Sequence, residues 1–332
     1  MLETLEQYST LTLYSGMAVY ALAFVFYAID LANRSGDAVG ANEAAAGRAT
    51  ATGAASAAGG SAVATMTRTR QMTEASAKVP RSRAMRIGFS LTVLGFLLHF
   101  AATIMRGIGA GRVPFANMYE FALTATLSIV LIFLLVQFVV DLRFLGALIT
   151  GLTVLFLGIA KVNFYVAIVP LPPALDSYWL VIHILVAVLA VGFLTISFGL
   201  SVLQLLQTRR VSLEGAGHRT SLGFLTGFPS AVRLEDLAYR MAIIGFVFWS
   251  FTLIAGSIWA EAAWSRYWGW DTKEVWTFVI WVLYAGYIHA RATRGWRGTR
   301  SAWLSIIAYT AVIFNFTIVN VFFKGLHAYS GL

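Results

Sequence analysis

Long apolar stretches dominate the hydropathy pattern of this chain. A helix that spans a membrane needs about 20 mostly apolar residues, and about eight stretches approach or exceed that length. They cover residues 12–32, 87–105, 118–140, 144–160, 178–206, 238–260, 274–290 and 301–323. We therefore predict an all-α fold, a polytopic membrane bundle of about eight transmembrane helices.

The basic residues are distributed unevenly between the connections. Eighteen of the 24 Lys and Arg residues lie in the segments 33–86, 141–143, 207–240 and 291–300, and six lie in the alternating segments. Because cytoplasmic loops carry an excess of Lys and Arg, the first set is expected in the cytoplasm. Both termini are then on the non-cytoplasmic side of the cell membrane. This topology accounts for the net charge of +9, so no nucleic-acid partner is expected.

The pattern divides the chain into three parts. Residues 1–32 form an N-terminal transmembrane helix, which is expected to be retained because it lacks a basic start and a small-residue cleavage site. Residues 33–86 are rich in Ala, Gly, Thr and Ser and are predicted to be a disordered cytoplasmic linker, whose basic end lies against anionic headgroups. Residues 87–332 contain the remaining spans.

Composition agrees with a membrane protein and limits its chemistry. The chain is 59% hydrophobic and 12% charged, against about 25% charged residues in soluble domains. It contains no Cys, which excludes a disulfide, a thiolate metal site or a redox pair of its own. Any thiol chemistry must therefore use the thiols of another molecule.

Residues 259–276, WAEAAWSRYWGWDTKEVW, combine aromatic and charged side chains and are called here the tryptophan segment. An interfacial aromatic belt fits poorly, because the rings run through a short, charged connection. A flat apolar ligand such as a porphyrin fits better, since indole faces stack well. Arg266 and Lys273 would then form charge-assisted hydrogen bonds with the porphyrin propionates. Asp271 and Glu274 would either hold these cations in place or cap the next helix. The segment contains Trp259, Trp264, Trp268, Trp270 and Trp276, of which Trp264, Trp268 and Trp270 are the candidate stacking faces.

Four of the five histidines form two groups by depth. His183 and His327 flank the tryptophan segment on the outer side, whereas His99 and His289 lie inside spans, where ionisable groups are functional candidates. His218 is in a loop and is expected to be merely solvated. Two facing imidazoles suit six-coordinate haem iron, although any single one can instead bond a backbone carbonyl. The internal pair is less well matched, at ~18 Å and ~8 Å from the inner boundary, unless helix tilt closes the gap.

The tryptophan segment, followed by TFVIWVLYAGYIHAR, resembles the WWD domain of haem handling proteins. Its WDxKE ending is more similar to the CcsA/ResC type, called CcsB in some bacteria, of the system II cytochrome c maturation machinery than to the CcmC or CcmF proteins of system I. SYWLVIHILVA and GLHAYSGL resemble the two outer-histidine motifs of that family. VPFANMYE is similar to its P-x-x-N-x-Y-E segment.

The resemblance implies haem delivery for cytochrome c maturation by residues 87–332. His183 and His327 would ligate haem iron at the outer face, and His99 and His289 within the membrane. Haem b is the cargo. The implied partners are a ResB-like membrane protein, apocytochrome c with its CxxCH thiols, and a thiol-reducing thioredoxin-like protein.

Two questions stay open at the level of sequence. Nothing in the chain must act as an acid or a base, so an enzymatic role is uncertain; a subunit of a cytochrome c synthase, or haem lyase, fits better than an enzyme alone. A transmembrane di-haem b-type electron carrier is the main alternative function. That class resembles helix pairs that each carry two histidines, and no span here carries two.

Overall fold

The computed structural model describes residues 2–52, 82–168, 176–218, 220–323, 325 and 326. Every regular element in these ranges is helical. The main helices are α1 Leu2–Thr52, α2 Arg83–Ala110, α3 Met118–Val136, α4 Gly146–Asn163, α5 Tyr178–Gly215, α6 Ala231–Trp264, α7 Thr272–Ala292 and α8 Thr299–Phe314. A π-helical turn, Asn315–Val319, continues α8 into the short helix α9, Asn320–Phe322. Short 3₁₀ helices cover Arg143–Leu145, Ser221–Leu225 and Arg294–Trp296.

Seven stretches of the described helices are long and apolar enough to cross a membrane. They lie in α1 to α6 and in α8 with its continuation to Phe322. The remaining predicted span, 274–290, corresponds to α7, which has 21 residues but carries Lys273, Glu274, His289 and Arg291. The prediction of an all-α polytopic membrane protein is thus confirmed.

The structure differs from the predicted linker at both of its ends. Helix α1 continues to Thr52, so residues 33–52 are helical, which agrees with the high intrinsic helix propensity of their many alanines. Helix α2 already begins at Arg83, where the Ser82 hydroxyl accepts a hydrogen bond from the Met85 N–H at 3.0 Å. The central part of the predicted linker, residues 53–81, lies outside the described residues.

Glycines permit close packing of α1 against α2. The Tyr20 ring lies 2.7 Å from the position that a Cβ on Gly95 would occupy, and Tyr27 lies 3.2 Å from the equivalent position at Gly88. Both tyrosines are buried. Helices α5 and α6 form a second close pair, α3 and α8 pack on α5, and α7 packs between α6 and α8. The bundle therefore places the beginning of α5 beside the end of α6.

The two ends of the bundle are distinguished by their connections. Residues 265–271 join α6 to α7 at one end, called here the tryptophan end, where residues 111–117 also join α2 to α3. A buried ion-pair cluster ties α1, α2 and α3 together there: Arg106 contacts Glu6 at 3.3 Å and Glu120 at 3.0 Å. At the opposite end, Arg291 of α7 pairs with Glu235 of α6 at 2.6 Å.

Candidate functional site

A cleft opens at the tryptophan end of the bundle. It has a volume of about 1060 Å³, including the part of its mouth that is open to solvent. The beginnings of α3, α5 and α7, the end of α6, the α6–α7 connection and the π-helical turn after α8 all contribute to its walls.

His183 lies in the wall of this cleft, in the second turn of α5. Its Nδ1 is 3.0 Å from the carbonyl oxygen of Thr252 on α6. A carbonyl oxygen can only accept a hydrogen bond, so Nδ1 carries the proton of this bond, and the lone pair of a neutral imidazole is then on Nε2. The ring also stacks on Trp259, with centroids 5.9 Å apart and planes at 18°. His183 is therefore held in the tautomer that can donate Nε2 to a metal.

Four of the five tryptophans of the segment divide into two that line the cleft and two that pack against them. Trp259, which is 2% exposed, and Trp268 contribute to the cleft wall. Trp264 packs edge-on against Trp259, with centroids 4.8 Å apart. Trp270 packs edge-on against Trp268 at 5.8 Å and is otherwise largely exposed. Of the three candidate stacking faces, Trp268 is thus the one that reaches the cleft.

The acidic pair of the tryptophan segment caps α7. Glu274 is buried and accepts hydrogen bonds from the backbone N–H groups of Gly269 and Asp271, at 2.8 Å and 3.0 Å. Together with Asp271 at the N-cap position it forms a capping box, which satisfies N–H groups that a helix start leaves without partners. The capping role that the sequence left open is therefore present.

The two predicted cations occupy different positions. Lys273 lines the cleft, where its Nζ donates to the carbonyl oxygen of Asn315 at 2.9 Å and to Oδ1 of Asn320 at 2.5 Å. The ammonium group also lies 4.7 Å from the centre of the Phe316 ring. Arg266 is half-buried in the connection, and its guanidinium group fills the space that a side chain at Gly269 would need. Lys273 is thus the predicted cation that already faces the cleft.

No role was predicted for residues 115–121, which form one wall of the cleft. Asn117 caps α3 by accepting the Glu120 N–H at 2.9 Å. The buried Glu120 carboxylate pairs with Arg112 at 2.7 Å and accepts the Ala116 N–H at 2.8 Å. These bonds fix the connection that borders the cleft. The VPFANMYE motif was the available signal, because it places a capping Asn and an acid three residues apart.

An aromatic pair was missed for a different reason. Phe121 on α3 stacks on Phe316 of the π-helical turn, with ring centroids 4.6 Å apart and planes at 20°. Both rings line the cleft. The two residues are far apart along the chain, and neither belongs to a local motif. Periodicity and composition therefore contain no signal for this contact.

Two other predicted histidines, His99 and His289, are not among the residues that line the cleft. His99 is fully buried on α2, with Nε2 3.0 Å from the carbonyl oxygen of Leu123 and its ring edge-on to Tyr20. His289 is exposed on α7. The main contacts of α2 are with α1, α3 and α4, and those of α7 are with α6 and α8, so the two imidazoles lie on helices that share no main contact partner. His327 lies outside the described residues.

Comparison with known proteins gives consistent matches. The family model described as Cytochrome C assembly protein matches residues 115–327, a range that contains every residue that lines the cleft. The chain is 30% identical to the cytochrome c biogenesis protein CcsA of Guillardia theta over 260 residues, which cover 74% of this chain and 86% of that protein. It is 32% identical to a CcsA of Prochlorococcus marinus over 249 residues, covering 68% of this chain and 78% of that protein.

A solved structure extends the comparison to the fold. The cytochrome c haem lyase CcmF superposes with a TM-score of 0.61 at 15% sequence identity, over 94% of this chain. The match covers 46% of the CcmF chain, so the present chain spans less than half of that protein's length. At this identity the likeness concerns the fold alone.

Replacing Glu274 by Ala is predicted to loosen the α6–α7 connection. The change removes the acceptor of two backbone N–H groups, at a cost of roughly 1–3 kcal/mol, so amide hydrogen exchange across residues 265–276 should accelerate about fivefold or more. Glu261→Ala is the matched control, because Glu261 is an exposed acid at the end of α6. Equal exchange rates in the two variants would contradict the capping role.

Proposed function

The chain belongs to the cytochrome c assembly protein family, and from this premise we propose that it binds haem in the cleft at the tryptophan end and presents it for attachment to apocytochrome c. The observation that carries the proposal is the combination of His183, fixed by the Thr252 carbonyl, with a cleft wall rich in aromatic rings. Family membership also favours cytochrome c maturation over the alternative of a di-haem electron carrier.

The residues of the cleft fit haem as cargo. His183 offers a neutral imidazole nitrogen, a common axial ligand of haem iron. Trp268, Phe121 and Phe316 offer aromatic surface for a flat macrocycle. Lys273 lies at the same cleft, where burial lowers the pKa of its amine to about 7; in its protonated form it can make a charge-assisted bond with a propionate.

The outer histidines and several residues of the tryptophan segment then have a defined task in the proposal. His183 would ligate the iron from α5, and His327 would provide the second ligand, as the resemblance to the family's outer-histidine motifs implies. Trp259 and Trp264 support the imidazole from behind. The capping box formed by Asp271 and Glu274 keeps the connection folded, and Arg266 supplies positive charge beside it.

Haem attachment itself relies on groups outside this chain. A thioether forms when a thiol S–H adds across a haem vinyl double bond, so that sulfur bonds one vinyl carbon and hydrogen the other. The chain has no Cys, and both thiols come from the apocytochrome CxxCH motif. A ResB-like membrane protein completes the cytochrome c synthase, and a thioredoxin-like protein keeps the substrate thiols reduced. The chain is thus a subunit that holds the cargo.

His99 and His289 are proposed as haem ligands within the membrane. His99 supports this role because it is fully buried and, within the described residues, its Nδ1 has no hydrogen-bond partner. His289 is exposed on α7, whose main contacts are with α6 and α8. The two therefore act on haem at separate positions, or the helices rearrange before both reach one iron.

The proposal places the tryptophan end outside the cell membrane. The absence of native Cys allows single cysteines to report this directly. Glu261→Cys, in the last turn of α6, should react with a membrane-impermeant maleimide in intact cells or spheroplasts. His218→Cys, in the exposed loop after α5, should react only after the membrane is permeabilised. The reverse pattern would invert the proposed orientation.

The haem ligands are tested by spectra of purified variants. Wild-type protein should show the visible spectrum of low-spin, bis-histidine haem. His183→Ala and His327→Ala should each lose that spectrum or most of the bound haem, because one axial ligand is gone, and c-type cytochromes should fail to mature in a deletion strain that carries either variant. His99→Ala and His289→Ala test the internal site.

His218→Ala is the control for these variants, since His218 lies in a solvent-exposed loop at the opposite end of the bundle. It should retain both the haem spectrum and cytochrome c maturation. Unchanged haem ligation in both His183→Ala and His327→Ala would overturn the assignment of the cleft. Normal maturation of c-type cytochromes in the deletion strain would overturn the maturation role.

A further inference from the structure

We propose that Thr252 and Gly256, one turn apart on α6, are positioning residues that set the orientation and tautomer of the His183 ligand. The inference rests on the proposed haem-binding function and adds residues to it. It depends on two features of α6. The backbone carbonyl of Thr252 accepts the hydrogen bond from His183, and Gly256 has no side chain that would cover this carbonyl.

The geometry of an α-helix connects the two positions. Residues four apart lie above one another on the same face, and the side chain of the later residue leans back over the earlier turn. A side chain at position 256 would therefore cover the carbonyl of Thr252. Because residue 256 is glycine, the imidazole of His183 reaches that carbonyl, with Nδ1 3.0 Å from its oxygen.

The space above Gly256 is occupied by the ligand itself. A Cβ built on Gly256 would lie 2.8 Å from Cε1 and 2.9 Å from Nδ1 of His183. Even alanine would thus displace the imidazole from its present place. Trp259, on the same face of α6, stacks against the ring, so the imidazole is located by three groups of one helix: a carbonyl, a glycine surface and an indole.

The consequence for the iron is chemical as well as steric. The bond to the Thr252 carbonyl keeps the proton on Nδ1, which leaves Nε2 to bind the metal and increases its donor strength. Removal of such an outer partner typically lowers metal affinity about 10- to 100-fold. A displaced ring also changes the orientation of the ligand, to which haem spectra and reduction potentials respond.

A purely structural role for Gly256 predicts a different outcome. Gly245, also on α6, is such a packing glycine, because a Cβ there would lie 2.6 Å from Leu194 of α5. Gly245→Ala should therefore disturb the same helix pair without touching the ligand. Gly286, on α7, has nothing within 4 Å of a built Cβ, and Gly286→Ala controls for the change of residue type.

The first test compares haem-loaded Gly256→Ala, Gly245→Ala and Gly286→Ala. Gly256→Ala should bind haem at least about tenfold more weakly, with an altered low-spin spectrum and a shifted haem reduction potential in the fraction that remains bound. The other two variants should keep the wild-type spectrum and potential. A wild-type spectrum and potential in Gly256→Ala, or equal changes in Gly245→Ala, would overturn the proposal.

A second test needs no haem and covers the case in which Gly256→Ala is poorly folded. In apo protein, Gly256→Ala should lower the thermal unfolding midpoint by about 3 °C or more, because the ring and the new methyl group compete for one space. In a His183→Ala background the ring is absent, so adding Gly256→Ala should change the midpoint little. Equal shifts of the unfolding midpoint in the two backgrounds would show that contact with the imidazole is not the cause of the destabilisation by Gly256→Ala.

Failure of this inference can be told apart from failure of the proposed function. If His183→Ala leaves haem ligation unchanged, the function assigned to the cleft is wrong. If His183→Ala abolishes ligation but Gly256→Ala leaves the spectrum and the potential unchanged, the ligand stands and only its positioning by α6 is refuted.

Discussion

A polar group that is buried without a hydrogen-bond partner is costly, and this constraint organises the tryptophan end of the bundle. His183 bonds a helix carbonyl, Glu274 accepts two backbone N–H groups, and Lys273 donates to the π-helical turn after α8. Glu120 is held by arginines of α2 and of the connection that follows it. These bonds place the walls of the cleft and leave aromatic faces to line it.

The tryptophan segment contains both charged and aromatic side chains because the two kinds of residue have different roles. Its acids and Lys273 are used mainly in bonds to the protein, which fold the connection and start α7. Its indoles then either line the cleft, as Trp268 does, or pack behind that surface, as Trp264 does. The charged groups therefore fold the connection, and the folded connection positions the aromatic rings.

Much of this could be predicted from the sequence, because hydropathy and capping are local properties. The apolar stretches predicted the spans, and the acids before VWTFVIW predicted the start of α7. The helical extension of α1 to Thr52 was missed, since an Ala-rich segment has little to bury and was interpreted as a linker. Which tryptophans face the cleft depends on packing between separate helices, as does the Phe121–Phe316 contact.

The histidines show the same limit. His183 was located from its place near the outer end of the fifth predicted span, whereas His99 and His289 were grouped because both lie inside spans, which does not determine which helices are neighbours. In the described packing, α2 and α7 share no main contact partner. Only the positions along each helix, and not the contacts between helices, were available from the sequence.

The proposed ligation of haem by His183 in the cleft at the tryptophan end can be tested by an experimental structure of the protein purified with its haem. We expect macrocycle density in the cleft beside Trp268, Phe121 and Phe316, with the iron bonded to Nε2 of His183 and Nδ1 still bonded to the Thr252 carbonyl. Haem bound elsewhere in the bundle, with the His183 imidazole not coordinated to iron, would contradict it.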